Sequence, residues 1–210
     1  MELLKFKDKS HYENVQLATV RMRKKRASFR LGEIRLSCEW LKSHSITDSN
    51  GVKGLCHGVR SGLESDVFLR YFPLATIIGT DLFPMEGAYY KSLTPVVKWN
   101  FSEVNPDWIG KMDFVYSNSL DHSDCPETTI RIWLEQIKPT GFLLLRWGLH
   151  GFEKARRGDC FTASYQELAD IINRIGRVVN VIKLYKSRKN TYLMLICQRQ
   201  DASIATSLKT

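Results

Sequence analysis

Cysteine is scarce in this chain and has no obvious partner. Cys38, Cys56, Cys125, Cys160 and Cys197 are odd in number and widely spaced, and no two stand at a C-x-x-C interval. That argues against a disulfide framework and against a zinc site, and it points to free thiols in a reducing, cytoplasmic compartment. Also missing is any run of about 18 apolar residues, so no membrane span is expected. The opening MELLKFKDKS lacks the apolar stretch and the small-residue cleavage site of a signal peptide. There is no internal repeat and no low-complexity tract, which excludes solenoids and extended disordered arrays.

What is present is ordinary globular material. The 210 residues are 43% hydrophobic and 25% charged, enough for one domain with a real core. The formal net charge of +9 suits either solubility or attraction of phosphates. One dense basic cluster stands out: Arg21, Arg23, Lys24, Lys25, Arg26 and Arg30.

Two regions differ in pattern. Residues 1–50 read as an N-terminal helical appendage, with helices over Glu13 to Lys25 and Glu33 to Lys42. The second carries Ile34, Leu36, Trp40 and Leu41 as an amphipathic stripe. The turn cluster Thr47 to Gly51 closes this region. From there to about residue 200 short apolar runs alternate with helical stretches, and residues 201–210 read as a flexible tail.

In the second region strands are expected over Val52 to Cys56, Ala75 to Thr80, Val96 to Trp99, Asp113 to Ser117 and Phe142 to Trp147. Helices are expected over Gly62 to Phe72, Pro126 to Ile137 and Tyr165 to Ile175. Lys138 to Gly141 reads as a turn. Ser164 and Glu167 form a capping-box pattern, and Gly176 ends that helix. Val178 to Tyr185 and Thr191 to Gln198 read as a terminal hairpin. The alternation implies an α/β fold, a Rossmann-like three-layer sandwich whose mostly parallel seven-stranded sheet has an antiparallel C-terminal edge hairpin.

In such a sheet the ligand sits outside the carboxyl ends of the strands, where strand order reverses. The residues following each strand therefore carry the functional reading. After the first strand comes Gly54 to Gly62, a loop whose glycines permit close backbone approach and whose following helix offers free N–H groups. After the second comes Asp81, a carboxylate placed to accept ribose hydroxyls, and after the third Asn100 and Phe101, an amide and a ring suited to a base. After the fourth come Ser117, Asn118, Ser119, Leu120, Asp121 and His122. His122 is a candidate general base, with His57 as a second, although a lone histidine also serves structure. Asp121 is a candidate helix cap.

This order of motifs resembles that of the class I S-adenosylmethionine-dependent methyltransferases over residues 50 to 200, most specifically in Phe114 to His122 and the Pro139-x-Gly141 turn. The resemblance implies S-adenosylmethionine as cofactor. By it, the Cys56, His57, Gly58 and Arg60 loop meets the methionine part and Asp81 holds the ribose. Leu82, Asn100 and Phe101 lie at adenine, and Ser117 and Asn118 lie near the methionine amino group. The chain departs from the family's acidic-x-Gly-x-Gly-x-Gly motif: the same places read Gly54, Cys56, Gly58 and Arg60. The first loop with Cys-His-Gly is similar to that of a little-characterised branch.

No metal is implied. An N/D-P-P-Y/F signature for base methylation is absent, which favours a small-molecule acceptor such as a sugar or other metabolite. The basic cluster, with Trp40 or Trp99 for stacking, keeps RNA or DNA open. Two competing readings stand beside this one. A non-catalytic binding module fits the sparse glycines. An NAD(P)-dependent dehydrogenase is suggested by Gly54-x-x-x-Gly58 and Tyr185-x-x-x-Lys189. Oligomeric state has no sequence signal.

Overall fold

A computed structural model describes residues 1–22, 31–48, 51–84, 91–151, 154–156, 158–186 and 191–200. Its elements in chain order are β1 (Glu2–Leu3), α1 (Lys9–Met22), α2 (Leu31–Ser43), β2 (Lys53–His57), α3 (Leu63–Tyr71), β3 (Thr76–Asp81) and β4 (Val96–Lys98). Next come β5 (Met112–Ser117), a 3-10 turn (Leu120–His122), α4 (Pro126–Gln136), β6 (Ile137–Gly148), β7 (Phe161–Thr162), α5 (Tyr165–Ile175), β8 (Gly176–Lys186) and β9 (Thr191–Arg199).

The main sheet has seven strands in the order β4-β3-β2-β5-β6-β9-β8. Strands β4 to β6 run parallel, and β9 joins β6 antiparallel before pairing with β8 as the edge hairpin. The expected fold class is the observed one. Its cause is visible along each strand, where successive side chains go to opposite faces and both faces are dry. Leu55, Val115, Leu143, Leu145, Leu193 and Leu195 join the α4–α5 side with Trp133, Leu168 and Ile172. Cys56, Phe114, Tyr116, Phe142, Leu144, Met194 and Ile196 join the other side with Val67, Phe68 and Phe72 of α3.

Helix α2 belongs to that second core. Ile34, Cys38 and Leu41 are fully buried in it. The stripe runs through Ser37 and Cys38, while Leu36, expected on the inner face, is half-buried. Glu33 of α2 is paired with Arg146 of β6 at 2.9 Å, and both are nearly inaccessible. Arg146 also lies over the Tyr192 ring at 4.2 Å and donates to the Tyr185 hydroxyl. A buried pair of this kind fixes where the helix sits more than it adds net stability.

Three local differences from the sequence expectation have physical causes. Helix α1 begins at Lys9, earlier than Glu13, because Asp8 accepts the His11 N–H at 2.8 Å and supplies the start. Strand β6 begins at Ile137, so Lys138 to Gly141 is not a separate turn. Ile137 pairs with Met112 and Phe142 with Phe114, and the intervening residues bulge out. Gly141 is required there, because a Cβ would lie 2.8 Å from the Met112 carbonyl. The capping box at Ser164 and Glu167 forms as expected. Asp121 does not cap α4, whose N-cap is Cys125. Of the basic cluster only Arg21 falls among the described residues, and residues 201–210 lie outside them.

Asp66 secures the sheet's parallel edge. It is fully buried on α3, and its carboxylate accepts from Ser92 Oγ (2.8 Å), Leu93 N–H (2.9 Å), Thr94 N–H (3.0 Å) and Thr94 Oγ (2.8 Å). These bonds fasten the segment leading into β4 to α3. Replacing Asp66 by Ala removes the shared acceptor of all four donors and leaves the Leu93 N–H without one, so urea unfolding should show a loss of roughly 3 kcal/mol. Asp66→Asn should lose distinctly less, since it keeps an acceptor.

Candidate functional site

Strand order reverses between β2 and β5. The chain leaves β2 toward β3 and β4 on one side, and β5 toward β6 on the other. A crevice must open where the two chains diverge, beyond the carboxyl ends of these strands. The sequence-predicted residues gather here. His57 ends β2, Asp81 ends β3, and Ser117 ends β5.

The loops that form the crevice are bonded to one another. Gly58 and Val59 donate their N–H groups to the Thr80 carbonyl. Ser117 Oγ donates to the His57 carbonyl and Ser119 Oγ to that of Gly58, each at 3.2 Å. Gly58 has φ 73°, and a Cβ there would lie 2.5 Å from that of Ser119, so only glycine fits the loop. Arg60, at the last glycine place of the related pattern, keeps a left-handed φ of 39°. Its N–H is held by Asp81 Oδ2 at 2.9 Å, and the Phe83 N–H by Asp81 Oδ1 at 2.8 Å. Asp81 is therefore rigid. Burial pushes its carboxyl above the ordinary value, and these two N–H groups oppose that.

Other candidates prove to be structural in part. Cys56 points into the α2–α3 core, where burial raises its thiol far above the usual range. Only its backbone faces the loop. His57 is fully buried and stacks on Trp133 with centroids 5.3 Å apart. Its Nδ1 meets Thr80 Oγ1 and its Nε2 meets Gln136 Oε1, both at 2.8 Å. With both nitrogens engaged it has none for an incoming proton donor. Asn100 turns its amide oxygen to the Ser102 N–H and its nitrogen to Glu103. Phe101 is buried, its ring edge 3.7 Å from where a Gly58 side chain would start. Leu82 is half-buried beside Asp81.

Asn118 Nδ2 points to Glu64 Oε1 at 3.5 Å. Glu64, in the first turn of α3, is a crevice residue that the sequence reading passed over. Two acids after a glycine loop look like complements of the helix dipole, which belong on the surface. Glu64 is instead buried, and burial pushes its carboxyl up to about 7.

His122 ends the 3-10 turn that follows β5. Its Nδ1 donates to the Gly158 carbonyl, which leaves Nε2 as the ring nitrogen without a partner among the described residues. The N-terminal segment roofs this corner. The Tyr12 hydroxyl donates to the His122 carbonyl at 3.0 Å, Gln16 Nε2 to that of Gly158, and Leu4 N–H to that of Cys160. Strand β1 pairs with β7 beyond them. Asp121, His122 and Asp159 bring ligand-type atoms within 4.8 Å of one another. Arg156 Nε occupies Asp159 Oδ2 at 2.9 Å and Gly158 occupies His122 Nδ1, so the group is already partnered from within the chain.

No family model matches the sequence, and no curated protein matches it. Solved structures do match. A Burkholderia thailandensis 1,6-didemethyltoxoflavin-N1-methyltransferase, with S-adenosylhomocysteine bound, superposes with a TM-score of 0.71 at 14% identity, covering 94% of this chain and 93% of its own. The chain has the fold of a class I S-adenosylmethionine-dependent methyltransferase. The N-methyltransferase NodS of Bradyrhizobium japonicum, also with S-adenosylhomocysteine, matches at 0.63 and 14% identity over 90% of this chain and 100% of its own. The [4+2]-cyclase SpnF matches at 0.60 and 14% identity over 83% of each chain. Tyr185, half of the dehydrogenase-like spacing, sits on edge strand β8 bonded to Arg146, and Lys189 lies outside the described residues. No helix among the described residues is long and apolar enough to cross a membrane.

His57 makes the core pH-sensitive in a defined direction. Burial lowers its pKa to about 4, against 6.5 when unfolded. The unfolded chain thus binds the extra proton first. The stability His57 contributes is complete above about pH 6.5 and is lost as pH falls toward 4, by roughly 3 kcal/mol in all. Unfolding free energies of the native chain minus those of His57→Gln should fall through that window, and a flat difference would remove His57 from the role.

Proposed function

We propose that the chain is an S-adenosylmethionine-dependent methyltransferase acting on a small molecule. The observation that carries this reading is the pairing of the Gly58 turn with Asp81. A rigid carboxylate closes β3 beside a backbone loop that only glycine can form, at the point where strand order reverses. That is an arrangement for a nucleoside, with the carboxylate accepting both ribose hydroxyls.

The residues fit such a ligand. Each Asp81 oxygen accepts one backbone N–H and retains capacity for another donor. Phe101 and Leu82 give the neighbouring wall an apolar character. Ser117 and Asn118 are at the other end, where Asn118 meets Glu64. When bound, the cofactor supplies a methyl group activated by its sulfonium. The chain's own task is to align the acceptor in line with that methyl group and to exclude water. Tyr12, Gln16 and the β1–β7 pair cover the His122 corner and serve the second purpose. His122, through Nε2, takes the proton of a hydroxyl or amine acceptor.

Neighbours whose names give toxoflavin-type and magnesium protoporphyrin IX methyltransferases support a small-molecule acceptor. A nucleic-acid acceptor rests on basic residues that lie mostly outside those described. Trp40 is stacked on His44, and Trp99 packs edge-on against Trp108, so neither is presented as a stacking platform. The [4+2]-cyclase among the neighbours keeps a second reading in view, the same crevice serving other chemistry.

Calorimetric titration with S-adenosylhomocysteine tests the cofactor site. Micromolar affinity is expected, weakened about tenfold or more by Asp81→Ala, the worth of a charge-assisted contact. A folded protein that binds none would overturn the reading and make NAD(H) the next titrant. Once an acceptor is found in a small-molecule panel, His122→Ala should cut turnover at least a hundredfold while leaving S-adenosylhomocysteine affinity within about twofold. Equal turnover would clear His122 of the base role.

A further inference from the structure

We propose that Glu64 is the anionic contact for the α-ammonium group of the ligand in this crevice, held in place by Asn118. The inference rests on the cofactor reading above, because that ligand carries an α-ammonium at the end opposite its ribose. It assigns a binding residue that no motif of the sequence marks.

Three observations converge on Glu64. It follows the glycine turn directly, in the first turn of α3, yet only 6% of it is exposed. An acid that merely complements the helix dipole has no reason to leave water. Its carboxylate meets Asn118, a residue of the opposite crevice wall, at 3.5 Å, so it faces across β2 toward the end of β5 and not into the apolar side of α3. Among the described residues no ion pair reaches it, although a buried carboxylate without a cation is costly. A cationic ligand group would remove that cost.

The alternative place for an acid is closed. At Gly54, where the related motif has one, a Cβ would lie 2.3 Å from the Phe114 ring. Asp81, which holds the Arg60 and Phe83 N–H groups, ends β3 and is assigned to the ribose in the reading above. Glu64 is the carboxylate that meets Asn118, at the β5 side.

The charged and titratable groups facing Glu64 are Arg60 from its loop, Asp81 from β3, Tyr116 from β5 and Cys56 from β2. Burial prevents Tyr116 and Cys56 from ionising near neutrality. Glu64 itself, pushed up to about 7, passes from mostly neutral to mostly ionised between pH 6 and 8. Binding of a cation should therefore strengthen over that interval.

The test is calorimetric titration of the whole chain and of Glu64→Gln with two probes at pH 6 and pH 8. S-adenosylhomocysteine carries the ammonium; 5′-methylthioadenosine keeps the nucleoside and lacks it. The native chain should bind S-adenosylhomocysteine about tenfold more tightly at pH 8 than at pH 6. Glu64→Gln should bind it about tenfold more weakly than native at pH 8 and show no such rise, with methylthioadenosine affinity unchanged. Glu64→Asp should recover part of the loss. Equal S-adenosylhomocysteine affinity in native and Gln chains at both pH values would overturn the Glu64 assignment and leave the cofactor reading intact. Equal weakening of both probes would also overturn it, as a structural effect. No binding of either probe by the native chain would overturn the cofactor reading and this inference together.

Discussion

Strands β2 and β5 lie side by side, buried on both faces, and their chains leave in opposite directions. Polar backbone groups exposed by that divergence have no ladder partner, and burying them unbonded would cost more than the sheet can spare. Thr80, Ser117 and Ser119 meet this need. A carbonyl of β3 takes two N–H groups of the first loop, and two hydroxyls beyond β5 take the carbonyls of His57 and Gly58. The crevice, the left-handed turn at Gly58 and the fixed position of Asp81 all depend on this small set of bonds.

The polar residues beneath the crevice divide into two kinds. His57 is bonded to Thr80 and Gln136, and Asp66 to Ser92 and Thr94, and they support the loops from inside. Asp81, Glu64, Asn118 and His122 retain capacity toward the opening. The difference lies in partners and not in residue type: His57 has both ring nitrogens engaged and His122 only one.

Much of the architecture was legible because a doubly covered parallel sheet writes itself as short apolar runs separated by helices. Val115, Leu143 and Leu195 needed no alternation to mark their strands. The capping box at Ser164 was local chemistry and survived intact. The residues at strand ends were also found, since topology alone places Asp81, Ser117 and Asn118 together. What escaped was whatever depended on distant partners. Glu64 and Asp66 carry no mark in the sequence, yet both are buried, one against Asn118 and the other bonded to the Ser92 to Thr94 segment. His57 read as a ligand-facing residue, and only Gln136 and Trp133, far along the chain, reveal it as core. Strand β1 has no pattern of its own, because two residues pairing with β7 leave no period to read.

The roof over His122 has a consequence for the order in which the molecule assembles. Leu4 meets Cys160 and Glu2 meets Thr162, so residues 2–4 are bonded to residues far along the chain. Contacts of such separation carry a large closure entropy and few bonds to offset it. The sheet can form without them. The N-terminal strand therefore docks after the core has condensed, and it is the first part to come away when the protein opens locally. Undocking of that strand would uncover the His122 corner without any unfolding of the sheet itself.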